Sequence, residues 1–85
     1  MSKPGLARTS SLISEVLGEL DLAERTFPPF NSAHEGYAVL LEEVDELWGE
    51  VKASPPINRR PEQLRKKAVQ VAAMALRFIR DVCDK

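Results

Sequence analysis

Glu42, Glu43 and Glu46 stand as E-E-x-x-E, and Glu35 and Glu50 lie a turn or two away on either side. At about 100° per residue, these five carboxylates fall within roughly one quadrant of a helix. The opposite arc holds Tyr37, Leu40, Leu41, Val44, Leu47, Trp48 and Val51. The segment therefore sorts into an acidic and an apolar side. Between Glu35 and Val51 there is no Lys or Arg, although like charges at i,i+4 spacing destabilise a helix unless something neutralises them. A hard cation such as Mg²⁺, which takes oxygen ligands, would do so. A plain solvated face is the competing reading.

The stripe needs a helix to carry it and neighbours to enclose it. Ser32 and Glu35 form an S-x-x-E capping box, so a helix over about 32–52 starts there, and Ser54, Pro55 and Pro56 close it. A first helix over about 11–26 follows Ser10 and Ser11, which suit N-caps. It carries Leu12, Ile13, Val16, Leu17 and Leu20 at helical spacing and ends before Pro28 and Pro29. Pro61 fits the first position of a third helix over about 62–83. Leu64, Ala68, Val71, Ala72, Ala75, Phe78, Ile79 and Val82 share one broad face of it. No stretch alternates with period two. The expected fold is all-α: three antiparallel amphipathic helices over residues 11–85 behind a flexible tail at 1–10.

With 85 residues the chain is one small domain, which buries a modest share of its surface. Self-association is the expected remedy, a homodimer or homotetramer completing a four-helix-type bundle. The 13 acidic and 12 basic residues argue against a nucleic-acid-binding surface. No apolar run approaches a membrane span, and the start lacks the apolar core of a signal peptide. The single Cys83 forms no internal disulfide, so a cytoplasmic, reducing setting is expected.

Taken together, these residues resemble the MazG-like all-α nucleoside triphosphate pyrophosphohydrolases. The stretch from Phe30 through Gly36-Tyr37 into Leu41-Glu42-Glu43-Val44-Asp45-Glu46-Leu47-Trp48 looks like the small phage- or mobile-element-borne members, and Gln70-Val71-Ala72-Ala73-Met74-Ala75 adds to the likeness. It covers about residues 30–82. The resemblance implies Mg²⁺, with Mn²⁺ as a substitute, and cleavage of an NTP or dNTP to the monophosphate and pyrophosphate. It also implies Glu42, Glu43 and Glu46 as metal ligands or as groups orienting the attacking water. The family's second motif, E-x-x-D, falls on Lys67-Ala68-Val69-Gln70. Gln70 keeps an oxygen that can ligate weakly, and Lys67 brings a positive charge where a carboxylate is expected. An alternative register, Glu62-Gln63-Leu64-Arg65, keeps the glutamate and also lacks the aspartate. Substrate contacts are expected from Lys67 and Glu35.

Three functions follow: a pyrophosphohydrolase, a catalytically weak or inactive nucleotide- or metal-binding module of the same fold, or a helical interaction domain. The other chemistry-bearing residues are read as structural. His34 lies off the acidic stripe at a helix start, where nothing orients it as a proton carrier. Tyr37, Trp48 and Met74 are read as core, with aromatic stacking at a dimer seam as the alternative for Tyr37 and Trp48, and Cys83 as a small packed residue. Arg59, Arg60, Arg65, Lys66 and Lys67 form a basic cluster, either a solvated surface or phosphate contacts.

Overall fold

The structure is a computed structural model that describes residues 4–53 and 60–85. Within it are α1 (Pro4–Thr26), α2 (Ala33–Val51) and α3 (Pro61–Phe78), and α3 runs on into a π-helical turn, Ile79–Cys83. There is no strand among the described residues, and no described helix is long and apolar enough to cross a membrane. Met1–Lys3 of the expected tail, and Ser54, Pro55, Pro56 and Arg59, lie outside the described residues.

The helix ends follow local chemistry. Ser32 caps α2 by accepting from the Glu35 amide at 3.1 Å. Glu35 closes the box one residue further back than expected: its carboxylate accepts from the Asn31 amide at 2.7 Å. α3 has Pro61 in its first turn, where a missing N–H costs nothing. α1 differs from expectation at its start. It begins at Pro4, not near residue 11, so Pro4 takes the first helical position. Ser10 and Ser11 lie within the helix and cap nothing, and Thr9 folds its hydroxyl back onto the Gly5 carbonyl at 2.8 Å.

α3 is the central element, packed against both α1 and α2. Contacts at Gly36–Phe78, Glu46–Lys67 and Glu50–Arg60 run in opposite directions along α2 and α3, so the pair is antiparallel. Ion pairs Glu15–Arg65 and Glu24–Arg80 run in step, so α1 lies parallel to α3. The core is small: Leu20, Ala23, Ala73 and Met74, with Val16, Val39 and Leu40 packed on it.

Two faces turn otherwise than their hydropathy predicts. On α3 the buried residues are Val69, Ala73, Met74 and Arg77. They lie roughly opposite the Leu64–Val82 face on the helical wheel; of that face Ala68 and Ile79 are exposed, the rest is half-buried, and Phe78 meets α2 at Gly36. On α2 the line Gly36, Leu40, Glu43, Leu47, Glu50 faces inward, buried or half-buried. Tyr37 and Trp48, expected in the core, are 61% and 55% exposed, and Leu41, Val44 and Val51 are exposed beside them. Close approach explains the α2 rotation. A Cβ on Gly36 would sit 2.7 Å from the Phe78 ring and 3.1 Å from that of Phe30, so only glycine lets α2 reach α3 there. Cys83 is also exposed, not packed.

The result is a plate of 39 × 39 × 19 Å, little thicker than the roughly 10–12 Å diameter of a helix taken with half of its neighbour. Its radius of gyration is 14.8 Å, against about 12 Å for a compact chain of this length.

Candidate functional site

The rotation of α2 opens a cleft of about 570 Å³ where the acidic side of the helix overhangs α1 and α3, a size that suits a small-molecule ligand. Glu35, Glu42 and Glu43 of α2 line it, with Glu19 of α1 and Gln70 of α3. Leu22, Ala23, Phe27, Phe30, Val39, Ala73 and Met74 supply an apolar floor, and Arg77 lies among them.

Glu43 is the inward member of E-E-x-x-E. Its Oε2 is buried and has no hydrogen-bond partner among the described residues. Burial pushes its carboxyl above the ordinary glutamate range, and the charge of Glu46 pushes the same way; Lys67 partly offsets them, while Glu42 and Glu19 add smaller upward pushes. An unpaired buried oxygen of this kind is uncommon and calls for an explanation, an absent ion or water among them.

Glu46 stands at the rim, half exposed, and accepts from Lys67 Nζ at 2.8 Å. That hydrogen bond holds the Lys67 ammonium above the usual lysine range, against the opposing effect of desolvation. Glu50 pairs with Arg60 at 3.2 Å. The structure thus brings Glu35, Glu42, Glu43 and Gln70 to one cleft and places Glu46 and Lys67 together beside it. Among the described residues, no three Asp, Glu, His or Cys side chains converge as a ready ligand set for a metal ion. The donors that are present are carboxylate and amide oxygens, the type a hard divalent cation takes, and one of them is orphaned. Oxygen donors of this type suit a hard cation such as Mg²⁺, although as placed among the described residues they do not converge on one point.

His34 is exposed at the start of α2, away from the cleft. The basic cluster is dispersed: Arg65 pairs with Glu15 of α1, Arg60 and Lys67 with the acidic side of α2, and Lys66 is exposed.

Sequence reasoning missed the other end of the cleft. Arg77 is 5% exposed. Its guanidinium lies 4.0 Å from the Phe30 ring centre, donates to the Pro28 carbonyl at 2.8 Å and meets Asp81 at 3.6 Å. Asp81 accepts in turn from the Phe30 amide at 3.1 Å. The π-helical turn, closed by the Asp84 amide on the Ile79 carbonyl at 2.8 Å, carries that carboxylate; such turns occur often at functional sites. The available signal was the i,i+4 row Val69, Ala73, Arg77, Asp81, in which an Arg–Asp pair continues an apolar line.

Set beside known proteins, the chain matches no family model, no curated protein and no solved structure.

Proposed function

We propose that this chain is a Mg²⁺-dependent nucleotide pyrophosphohydrolase that converts an NTP or dNTP to the monophosphate and pyrophosphate. The observation that carries the reading is the inward placement of Glu43, which sets an unpaired oxygen against a ligand-sized cleft with Glu35 and Glu42 along its wall.

Glu42, Glu43 and Glu46 would hold the ion, with Gln70 as a weaker oxygen donor. An ion held there would supply neutralisation of phosphate charge and a lowered pKa for its water. Glu43, the inward carboxylate, would ligate the ion or orient the attacking water. Glu35 has its carboxylate committed to the Asn31 amide and contributes to substrate binding as part of the wall. Lys67 offers the triphosphate a point charge.

The Lys67–Glu46 pair favours a second reading, a module of this fold that binds nucleotide and turns it over slowly or not at all. Both readings include a homodimer, or a tetramer built from it, in which the outward apolar arc of α2 is covered and a four-helix-type bundle is completed. The exposed Tyr37 and Trp48 and the large radius of gyration support this. A lone thiol suits the cytoplasm.

The test is a panel of NTPs and dNTPs incubated with Mg²⁺, with pyrophosphate as the readout. Release is expected for at least one nucleotide and is expected to stop in Glu43→Gln. A folded protein that releases none removes the enzyme reading. Calorimetric titration with Mg²⁺ and the same nucleotides then decides the second: heat without product supports it, and no heat for any ligand removes it.

A further inference from the structure

Arg77 is a buried cation short of acceptors. Its side chain is 6% exposed, yet it lines the cleft. A guanidinium carries five N–H donors and keeps its charge. Here Nη2 spends one on the Pro28 carbonyl at 2.8 Å. Nε lies 3.6 Å from Asp81, an ion pair beyond hydrogen-bond length. Among the described residues, Nη1 has only the Met74 thioether, at 3.8 Å, and sulfur of this kind accepts weakly. A buried charged donor in this state costs stability until a stronger acceptor reaches it.

The surroundings define that acceptor. Asp81 offsets the Arg77 charge, and Glu19, Glu35, Glu42 and Glu43 line the same cleft, so an anionic oxygen gains little here. A neutral carbonyl keeps the hydrogen bond without the repulsion. The body that carries it meets an apolar floor and two rings. The Arg77 guanidinium lies 4.0 Å from the Phe30 ring centre and 5.7 Å from that of Phe27. Phe27 lines the cleft while 57% exposed, so its ring offers a face to a flat ligand. A nucleobase is such a body. Its edge farthest from the sugar carries a carbonyl in 6-oxopurines and 4-oxopyrimidines, and an amino group in adenine and cytosine. That amino group would set a donor against the Nη1 donor.

We infer that Arg77 Nη1 and the Phe27 ring form a base-reading subsite, which takes a 6-oxopurine or a 4-oxopyrimidine in preference to adenine or cytosine. The inference rests on the functional reading above for the class of ligand, and it uses neither a metal ion nor the phosphates.

Equilibrium dialysis of the full chain against nucleosides, without divalent cations, tests it apart from turnover. The pairs are inosine with adenosine and uridine with cytidine, each a carbonyl against an amino group. Wild type is expected to retain at least one carbonyl nucleoside, and to hold its amino partner at least about tenfold less tightly, the order of one hydrogen bond to a charged group. Arg77→Lys keeps the charge and loses Nη1, so its preference should fall toward unity. Phe27→Ala removes an exposed ring and should fold. It should weaken both members of the pair alike, roughly tenfold for a lost stacking face, with the preference kept. Where Arg77→Lys fails to fold, the wild-type preference and Phe27→Ala decide. Equal retention within both pairs, a preference that survives Arg77→Lys, unchanged retention by Phe27→Ala, or no nucleoside retained by folded wild type each overturns the inference. The functional reading stands or falls separately, on pyrophosphate release.

Discussion

The Phe30 amide donates to the Asp81 carboxylate at 3.1 Å, tying the elbow between α1 and α2 to the last turn of α3. Arg77 fixes the same elbow from the other side, through the Pro28 carbonyl and the Phe30 ring. These contacts shape the floor of the cleft, so the latch positions the wall that a ligand would meet. Arg77→Ala removes one member of a buried ion pair and leaves Asp81 with the Phe30 amide alone. The expected loss is about 3–5 kcal/mol of unfolding free energy, as for other broken buried pairs, measured by urea denaturation. A loss no larger than that of an exposed control, such as Arg25→Ala, would show that the latch carries no stability.

The glycines separate helix propensity from packing. Gly18 and Gly49 lie within α1 and α2 with open space where a Cβ would stand. Alanine at either site is expected to stabilise the chain by about 0.5–1 kcal/mol, the helix-interior difference between the two residues. Gly36→Ala has the same propensity gain, yet its Cβ would meet Phe78 and Phe30. Overpacking of this kind costs about 1–3 kcal/mol, so this variant is expected to melt lower than wild type. A higher melting temperature for Gly36→Ala would mean that the α2–α3 approach is looser than these distances indicate.

Much of the helix pattern was legible because helix ends depend on neighbours in sequence. Ser32, Pro28, Pro29 and Pro61 act over a few residues, and their effects appear where expected. The two sides of α2 were legible too, since 3.6-residue periodicity sorts them. Which side faces inward was not. That depends on Gly36 meeting Phe78, some forty positions away, and on Lys67 of α3 reaching Glu46 of α2; periodicity carries no such information. The face of α3 was legible only in part: Phe78 of the expected face meets α2, while the fully buried row lies on the other side. Val69, Ala73 and Met74 form a narrower apolar row than Leu64 to Val82, and Arg77 within it looks like a solvent residue until its partners are seen. Of the site, E-E-x-x-E was visible, whereas Glu19, Arg77 and Asp81 come from elements that only the tertiary fold brings together.

Glu43 sets a pH dependence with a definite sign. In the folded chain its carboxyl is held above the ordinary value of 4.5, first by burial and then by Glu46. The folded state therefore keeps a proton that the unfolded chain releases near that value. Stability linked to this group is present below 4.5 and is lost as the pH rises through the folded value. Glu43→Gln lacks the loss. Without divalent cations it is expected to be more stable than wild type at pH 7, with the two converging as the pH falls toward 4.5. Urea denaturation of both proteins across that range checks it. A constant difference at all pH values would assign the effect to packing, not to ionisation.

The outward arc of α2 leads to an expectation about assembly. Tyr37, Leu41, Val44, Trp48 and Val51 are exposed together, and a contiguous apolar patch on one helix face marks an interaction surface. The carboxylates lie on the other side of the same helix, so two copies meeting along their apolar arcs would not place them against each other. We expect a dimer in solution. Trp48→Gln removes the largest apolar group of the arc, more than half exposed in the single chain, so it should weaken association at least tenfold (about 1.4 kcal/mol, within the cost of losing one well-packed aromatic at an interface). The helical content of the chain should be retained, because Trp48 supports no buried contact within it. Sedimentation velocity over a concentration series, with circular dichroism on the same samples, reads both quantities. A wild-type chain that stays monomeric across the series would remove the dimer. A dimer that Trp48→Gln leaves unchanged would move its interface elsewhere, to the exposed Leu76 and Ile79 on the far side of α3.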